Sequence, residues 1–127
     1  MKRISIIEDN KIIQQLLCCW FDEDEFIVLR LTDTINLIDR INDFKPDLII
    51  TDIMLPNETQ ESLINNLKEI HLPIIVLSSL DHEEVSSFAK KIGAIGYFCK
   101  HSDLSEMFEF TRDFFNLQEK KEFNEID

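Results

Sequence analysis

The chain has 127 residues, 44% of them hydrophobic, and a formal net charge of -12. That length holds one domain with a single core and leaves no room for a second. The acidic balance excludes direct binding of nucleic acid, which draws on clustered Lys and Arg to displace counterions from phosphates.

No apolar stretch approaches the roughly 20 residues of a membrane-spanning helix, and Met1-Lys2-Arg3 leads into a strand pattern and not into a secretory h-region. The expectation is a cytoplasmic protein without membrane contact. Cys18, Cys19 and Cys99 are odd in number and lack metal-ligand spacing, so they read as ordinary buried or half-buried thiols. His71, His82 and His101 are scattered and read as surface or capping residues.

Strand and helix patterns alternate along the chain. An apolar run ends at Ile7, and a helix over 11–21 follows with Ile12, Ile13, Leu16, Leu17 and Trp20 at helical spacing. Residues 26–31 read as a strand. A helix over 35–44 turns Ile35, Leu37, Ile38 and Ile41 inward and stops before Lys45-Pro46, because the residue ahead of Pro resists helical angles. Residues 47–52 are apolar without alternation, as in a strand covered on both faces. A helix lies within 59–70, Pro73 marks the entry to a fourth strand, and Asp81 caps a fourth helix with Glu84 three residues on. Gly93 closes that helix. Residues 95–99 form the last strand, and a helix from Asp103 to about Leu117 carries Leu104, Met107, Phe108, Thr111, Phe114 and Phe115 on its inner face, with Glu106 three residues after the Asp cap. Phe110, Leu117 and Phe123 lie off that face as a candidate apolar patch. Five βα units predict a doubly wound α/β fold, a parallel sheet of order 2-1-3-4-5 with helices on both faces.

Ligands bind such sheets at the carboxyl ends of the strands, by the switch point. Glu8-Asp9, Asp52, Ser78 and Lys100 all stand at those ends. Three converging carboxylates repel one another and call for a cation. Mg2+ suits them, because it takes oxygen ligands and binds through one or two carboxylates plus a phosphate. Glu8, Asp9 and Asp52 would be ligands, with the backbone carbonyl of Met54 as a fourth. An aspartate beside a metal can attack phosphorus to give an acyl phosphate, and Lys100 and the Ser78 hydroxyl can neutralise the transferring group.

The segments Ile6-Ile7-Glu8-Asp9-Asn10, Pro46-Asp47-Leu48-Ile49-Ile50-Thr51-Asp52-Ile53-Met54-Leu55-Pro56, Val76-Leu77-Ser78-Ser79 and Gly93-Ala94-Ile95-Gly96-Tyr97-Phe98-Cys99-Lys100 occur in that order at matching separations. Together they resemble the receiver domains of two-component response regulators, over essentially the whole chain. The resemblance implies the CheY-like, flavodoxin-like fold and a stand-alone receiver over residues 1–118 with a short acidic tail over 119–127. It implies Asp52 as phosphoacceptor, Asp9 as a direct Mg2+ ligand and Glu8 as a ligand through water. Ser78 would be the switch hydroxyl and Tyr97 the switch aromatic, whose ring turns inward as Ser78 moves. Lys100 would pair with Asp52 before phosphorylation and with the phosphoryl oxygens after it. The implied partners are a histidine kinase or histidine phosphotransfer protein and a downstream protein target, with output on the face of the fourth helix, fifth strand and fifth helix.

Two stretches depart from the family. Asn57-Glu58-Thr59-Gln60-Glu61 replaces the usual Met-Asp-Gly turn, which predicts a stiffened or reshaped loop with extra negative charge towards the phosphodonor. Lys100-His101 replaces Lys-Pro, and a cis bond before a non-proline residue costs about 2.5–4 kcal/mol, so a trans bond is expected and the aim of Lys100 is open. Residues 94–97 lack the acidic pair of the DNA-binding members, so their homodimer on the output face does not follow from this stretch. The leading expectation is a single-domain response regulator, a phosphoacceptor and not a turnover enzyme. The alternative is a pseudo-receiver that binds a partner without phosphorylation. An Mg2+-dependent phosphatase is disfavoured because Met54 stands where a second Asp would act as general acid.

Overall fold

Apolar runs without polar alternation become the interior of the sheet. The computed structural model describes the backbone of residues 1–126 and the side chains of residues 1–122. Its strands are β1 Lys2–Ile7, β2 Phe26–Leu31, β3 Leu48–Thr51, β4 Ile74–Ser78 and β5 Gly96–Cys99. Its helices are α1 Lys11–Trp20, α2 Leu37–Phe44, α3 Gln60–Lys68, α4 His82–Ile92 and α5 Leu104–Ile126. All strand pairs are parallel and the order is β2-β1-β3-β4-β5, as expected.

The period-2 geometry of the strands divides the core into two layers. Ile4, Ile6, Leu48, Ile50, Ile75 and Leu77 pack with Leu17 and Phe21 and with Met107, Phe108 and Phe115 of α5. Ile7, Ile49, Ile74 and Val76 pack against Leu37 and Ile41 of α2, Leu63 and Leu67 of α3, and Val85, Phe88 and Ala89 of α4. Each fully buried Leu or Ile contributes about 1.5–3 kcal/mol relative to exposure. The register Ile7↔Thr51 and Ser78↔Cys99 brings the ends of β1 and β3, and of β4 and β5, to matched levels.

The helix caps follow the sequence. Asn10, Thr59 and Asp81 accept backbone N–H bonds at the starts of α1, α3 and α4, and Gly93 ends α4 with φ 68°. Lys45 and Asn57 also take positive φ, at 55° and 59°, and Asn visits that left-handed region more readily than most residues.

Three helix expectations are corrected. α1 turns differently about its axis: Leu17 is buried, but Ile12 and Trp20 are 77% and 52% exposed and Leu16 is exposed as well. The inner position goes to Gln14, whose Nε2 donates to the carbonyls of Glu8 and Leu31, both at 3.2 Å. Two backbone acceptors at the sheet edge outweigh the apolar stripe in choosing the buried face. α2 begins at Leu37, after a left-handed Asn36, and leaves Ile35 exposed. Asp103 does not cap Glu106; its Oδ2 accepts from the Cys99 amide at 3.0 Å.

α5 also runs past Leu117. Gln118 to Glu122 are good helix formers with no breaker among them. Lys2 reaches Glu119 at 3.1 Å and lies over the rings of Phe26 and Phe115, tying the extension to the sheet. In the candidate patch Leu117 is exposed, while Phe110 is half-buried against Phe98. The side chain of Phe123 lies outside the described residues.

Gln14→Leu tests the account of α1. It keeps the volume but removes the donor from two carbonyls in a buried setting, and a loss of about 1–2 kcal/mol in unfolding free energy is expected from urea melts. A variant as stable as the parent would mean that the apolar surface, and not Gln14, orients the helix.

Candidate functional site

The ends of β1 and β3 bring together the three carboxylates singled out in the sequence. Carboxylate oxygens of Glu8, Asp9 and Asp52 lie within 4.8 Å of one another, with Glu8 and Asp52 buried and Asp9 exposed. Lys100, beyond the end of β5, places its ammonium 2.8 Å from Glu8 Oε1 and 2.6 Å from Asp52 Oδ2. The pairing of Lys100 with Asp52 was expected; its equal engagement of Glu8 was not.

Asp52 is held on both sides. Its Oδ1 accepts from the amides of Ile53 at 2.7 Å and Met54 at 3.2 Å, while Oδ2 faces Lys100. Met54 therefore belongs to the turn that wraps the carboxylate. Ser78, at the tip of β4, is fully buried; its Oγ accepts from the Leu80 amide at 3.2 Å, and its carbonyl accepts from the Lys100 amide at 2.9 Å. Tyr97 is not part of the carboxylate cluster. Its hydroxyl meets His82 Nε2 at 3.1 Å, at the first residue of α4.

Lys100 is aimed without a proline. Every peptide bond in the described chain is trans, including that to His101. The turn after β5 is braced twice by Asp103, whose carboxylate takes the Cys99 amide and whose own amide donates to the Cys99 carbonyl at 3.0 Å. With the Lys100 amide on Ser78, these bonds point the side chain at the pocket. The loop departure is also accommodated. Glu58 is not in the carboxylate cluster; Thr34 Oγ1 donates to its Oε2, and its Oε1 is buried without a hydrogen-bond partner.

Burial is the main force on Glu8, pushing its carboxyl up from 4.5 to about 7; the Lys100 hydrogen bond opposes the rise and the nearby Asp52 charge adds to it. Burial disfavours the charge on Lys100, but its bonds to Asp52 and Glu8 outweigh that and raise its value above 10.5. Fully ionised, three carboxylates against one ammonium leave two negative charges uncompensated. A hard, all-oxygen donor set with excess negative charge suits a divalent cation of the Mg2+ type.

Sequence reasoning missed Gln14, Asp103 as a brace, and the Glu58 and His82 contacts. A lone polar residue inside the apolar face of α1 was a signal for Gln14. The others depend on which loops meet.

Two outcomes are expected in chelator. Glu8 holds more protons folded than unfolded between pH 4.5 and 7, so folding stability should fall across that window, by on the order of 3 kcal/mol from this group. The shift of Lys100 adds no slope there, since its stabilisation is fully present below 10.5 and is lost only as pH rises from there through its raised value. Urea melts of Glu8→Gln from pH 5 to 8 should lose most of that slope; an unchanged slope would remove Glu8 as its source. Asp52→Asn keeps an oxygen for the two amides and removes one repelling charge, so its melting temperature in chelator should rise by a few degrees, for about 1 kcal/mol. A clear fall would refute the crowding of charge.

Comparison with known proteins agrees with this architecture. The family model described as response regulator receiver domain matches residues 4–112. An uncharacterized response regulatory protein of Staphylococcus epidermidis is 26% identical over 110 residues, 84% of this chain and 44% of that protein. The phosphate regulon transcriptional regulatory protein PhoB of Escherichia coli is 27% identical over 103 residues, 78% of this chain and 45% of that protein. The chain thus spans under half the length of these curated relatives. Among solved structures, the BeF3-activated N-terminal receiver domain of Klebsiella pneumoniae RstA aligns with a TM-score of 0.76 at 25% identity, over 87% of this chain and 96% of that one. Among the described residues no helix is long and apolar enough to cross a membrane. With the matched segment covering most of its length and the acidic pocket at the strand ends, this chain belongs to the response regulator receiver domain family.

Proposed function

We propose that the domain accepts a phosphoryl group on Asp52 from a phosphohistidine of a histidine kinase or phosphotransfer protein, and passes the change to a downstream protein target. The observation that carries this reading is Asp52 itself: a buried carboxylate held between two backbone amides and the Lys100 ammonium, beside two further carboxylates.

In the transfer, a carboxylate oxygen of Asp52 attacks phosphorus. The new O–P bond forms as the P–N bond breaks, and the electron pair of that bond stays on the donor imidazole. The amides of Ile53 and Met54 fix the carboxylate so that little reorganisation is needed. Lys100 exchanges its contact with Asp52 for one with a phosphoryl oxygen, keeping its charge beside the negative charge it balances. Glu8, Asp9, Asp52 and the Met54 carbonyl would hold Mg2+, with Glu8 acting through water. The ion, when bound, supplies charge neutralisation for the phosphoryl oxygens. Ser78 gives up the Leu80 amide to donate its hydroxyl to the phosphoryl group, and Tyr97 leaves His82 as the chain around Ser78 shifts. A phosphoryl group brings close to two negative charges and three acceptor oxygens, enough to select one of two nearby packings. The output surface is the face of α4, β5 and α5, where a homodimer would also form.

The domain acts on itself as phosphoacceptor and assists its own dephosphorylation; it is not a turnover enzyme. The pseudo-receiver alternative drew on the loop after Asp52 and on Lys100-His101. The 2.6 Å contact of Lys100 with Asp52 takes away the second of these arguments.

The test is intact mass after incubation with acetyl phosphate, phosphoramidate or a phosphorylated histidine protein, with Mg2+ and with chelator. A gain of one phosphoryl group is expected in the parent with Mg2+, and none in Asp52→Asn or in chelator. Absence of any gain with all three donors would hand the function to the pseudo-receiver reading.

A further inference from the structure

We propose that Glu58 is a positioning residue for Asp52, acting through a strap that ties the loop after β3 to the loop after β2. The proposal rests on the phosphoacceptor reading above. Among the described residues, the bond from Thr34 Oγ1 to Glu58 Oε2 is the one side-chain hydrogen bond between these two loops. Because β1 lies between β2 and β3, the strap joins the loops on either side of the strand tip that carries Glu8 and Asp9.

Each end of the strap is built on a firm base. On the β2 side, Asp33 Oδ1 accepts from the Ile35 amide at 3.0 Å and from Arg40 Nη1 at 3.3 Å, and the Leu37 amide donates to the Thr34 carbonyl at 3.1 Å. On the β3 side, Thr59, the neighbour of Glu58, caps α3 through its side chain, 3.0 Å from the Ser62 amide. Between Asp52 and Glu58 the chain is anchored at its start by the two amides on Asp52 Oδ1, and in its middle by the buried Ile53 and Leu55. Pro56 and Asn57, at the crown, are exposed, and Asn57 has φ 59°. Without the strap, this crown has no side-chain tie to the neighbouring loop. The amides that orient the reacting carboxylate then share its freedom, and the preorganisation of the transfer is lost.

The chemistry of Glu58 argues against a purely structural link. Oε1 of Glu58 is buried without a protein donor although the residue as a whole is half-buried, so this carboxylate holds the hydroxyl at some cost in hydration. Glutamine could make the same bond to Thr34 without burying a charge. A carboxylate is therefore not the least costly acceptor for the Thr34 hydroxyl at this place.

The experiment measures the rate of Asp52 phosphorylation by phosphoramidate at saturating Mg2+, and the Mg2+ concentration for half-maximal rate, in the parent, Glu58→Ala, Glu58→Gln, Thr34→Val and the double variant Glu58→Ala/Thr34→Val. Melting temperatures confirm that each is folded at the assay temperature. Glu58→Ala and Thr34→Val should each slow the maximal rate about ten-fold, and the double variant no further, since both remove one bond. Glu58→Gln should keep most of the rate by restoring an acceptor for Thr34. The half-saturating Mg2+ should move less than the maximal rate, because two of the four proposed ligands, Glu8 and Asp9, do not lie on the strapped loop. Rates within two-fold of the parent in the single variants, or losses that multiply in the double variant, would overturn the strap while leaving the phosphoacceptor reading intact. A parent that accepts no phosphoryl group overturns both.

Discussion

One ammonium group organises the upper end of the sheet. Lys100 Nζ lies between Glu8 and Asp52, residues 92 and 48 positions away in sequence, and so ties the end of β5 to the ends of β1 and β3. Placing these charges in a buried site costs several kcal/mol of hydration per ion, and removing the one ammonium, which leaves the carboxylates without any counter-charge, is expected to cost about 3–5 kcal/mol. The arrangement is sustained by what lies beneath it. Strand registers set the tips at matched heights, and the two apolar layers prevent the sheet from relaxing to separate the charges.

The pocket is nevertheless left electrostatically incomplete. Two negative charges remain when all three carboxylates ionise, and burial has already lifted the Glu8 carboxyl to about 7. A stable core supporting an unfavourable cluster of charge is the pattern expected where local rules yield to function. It makes the end of the sheet suited to an added divalent cation.

The supports around the pocket are hydrogen bonds made by residues outside the carboxylate cluster. Gln14 braces the backbone at Glu8, and Asp103 closes the turn that presents Lys100. A proline is one way to stiffen that turn; here two hydrogen bonds between Cys99 and Asp103 do so with every peptide trans. The loop after Asp52 turns through Asn57, which takes the left-handed conformation at φ 59°. The backbone at two positions where the sequence departs from the family pattern is thus held by different local chemistry.

The amino-acid sequence by itself determined the strands, their order, the capped helices and the identity of the pocket residues. Apolar runs of four to six residues admit little choice of partner in a parallel sheet, and a polar residue directly after such a run lies at the strand end whatever the loops do. Tertiary structure decided the rest. α1 carries apolar residues on more than one face, and only docking on the sheet, with Gln14 bonded to two carbonyls, selected which face is buried. The inner apolar stripe ends at Phe115 and suggested a helix end near Leu117, yet helix-forming residues and the contact of Lys2 with Glu119 carry α5 onward. The contacts of Thr34 with Glu58 and of His82 with Tyr97 join loops or elements that no local pattern relates. Side-chain periodicity reports the burial of a residue against its own element's axis, whereas a hydrogen bond between distant segments exists only once packing has brought them within about 3 Å.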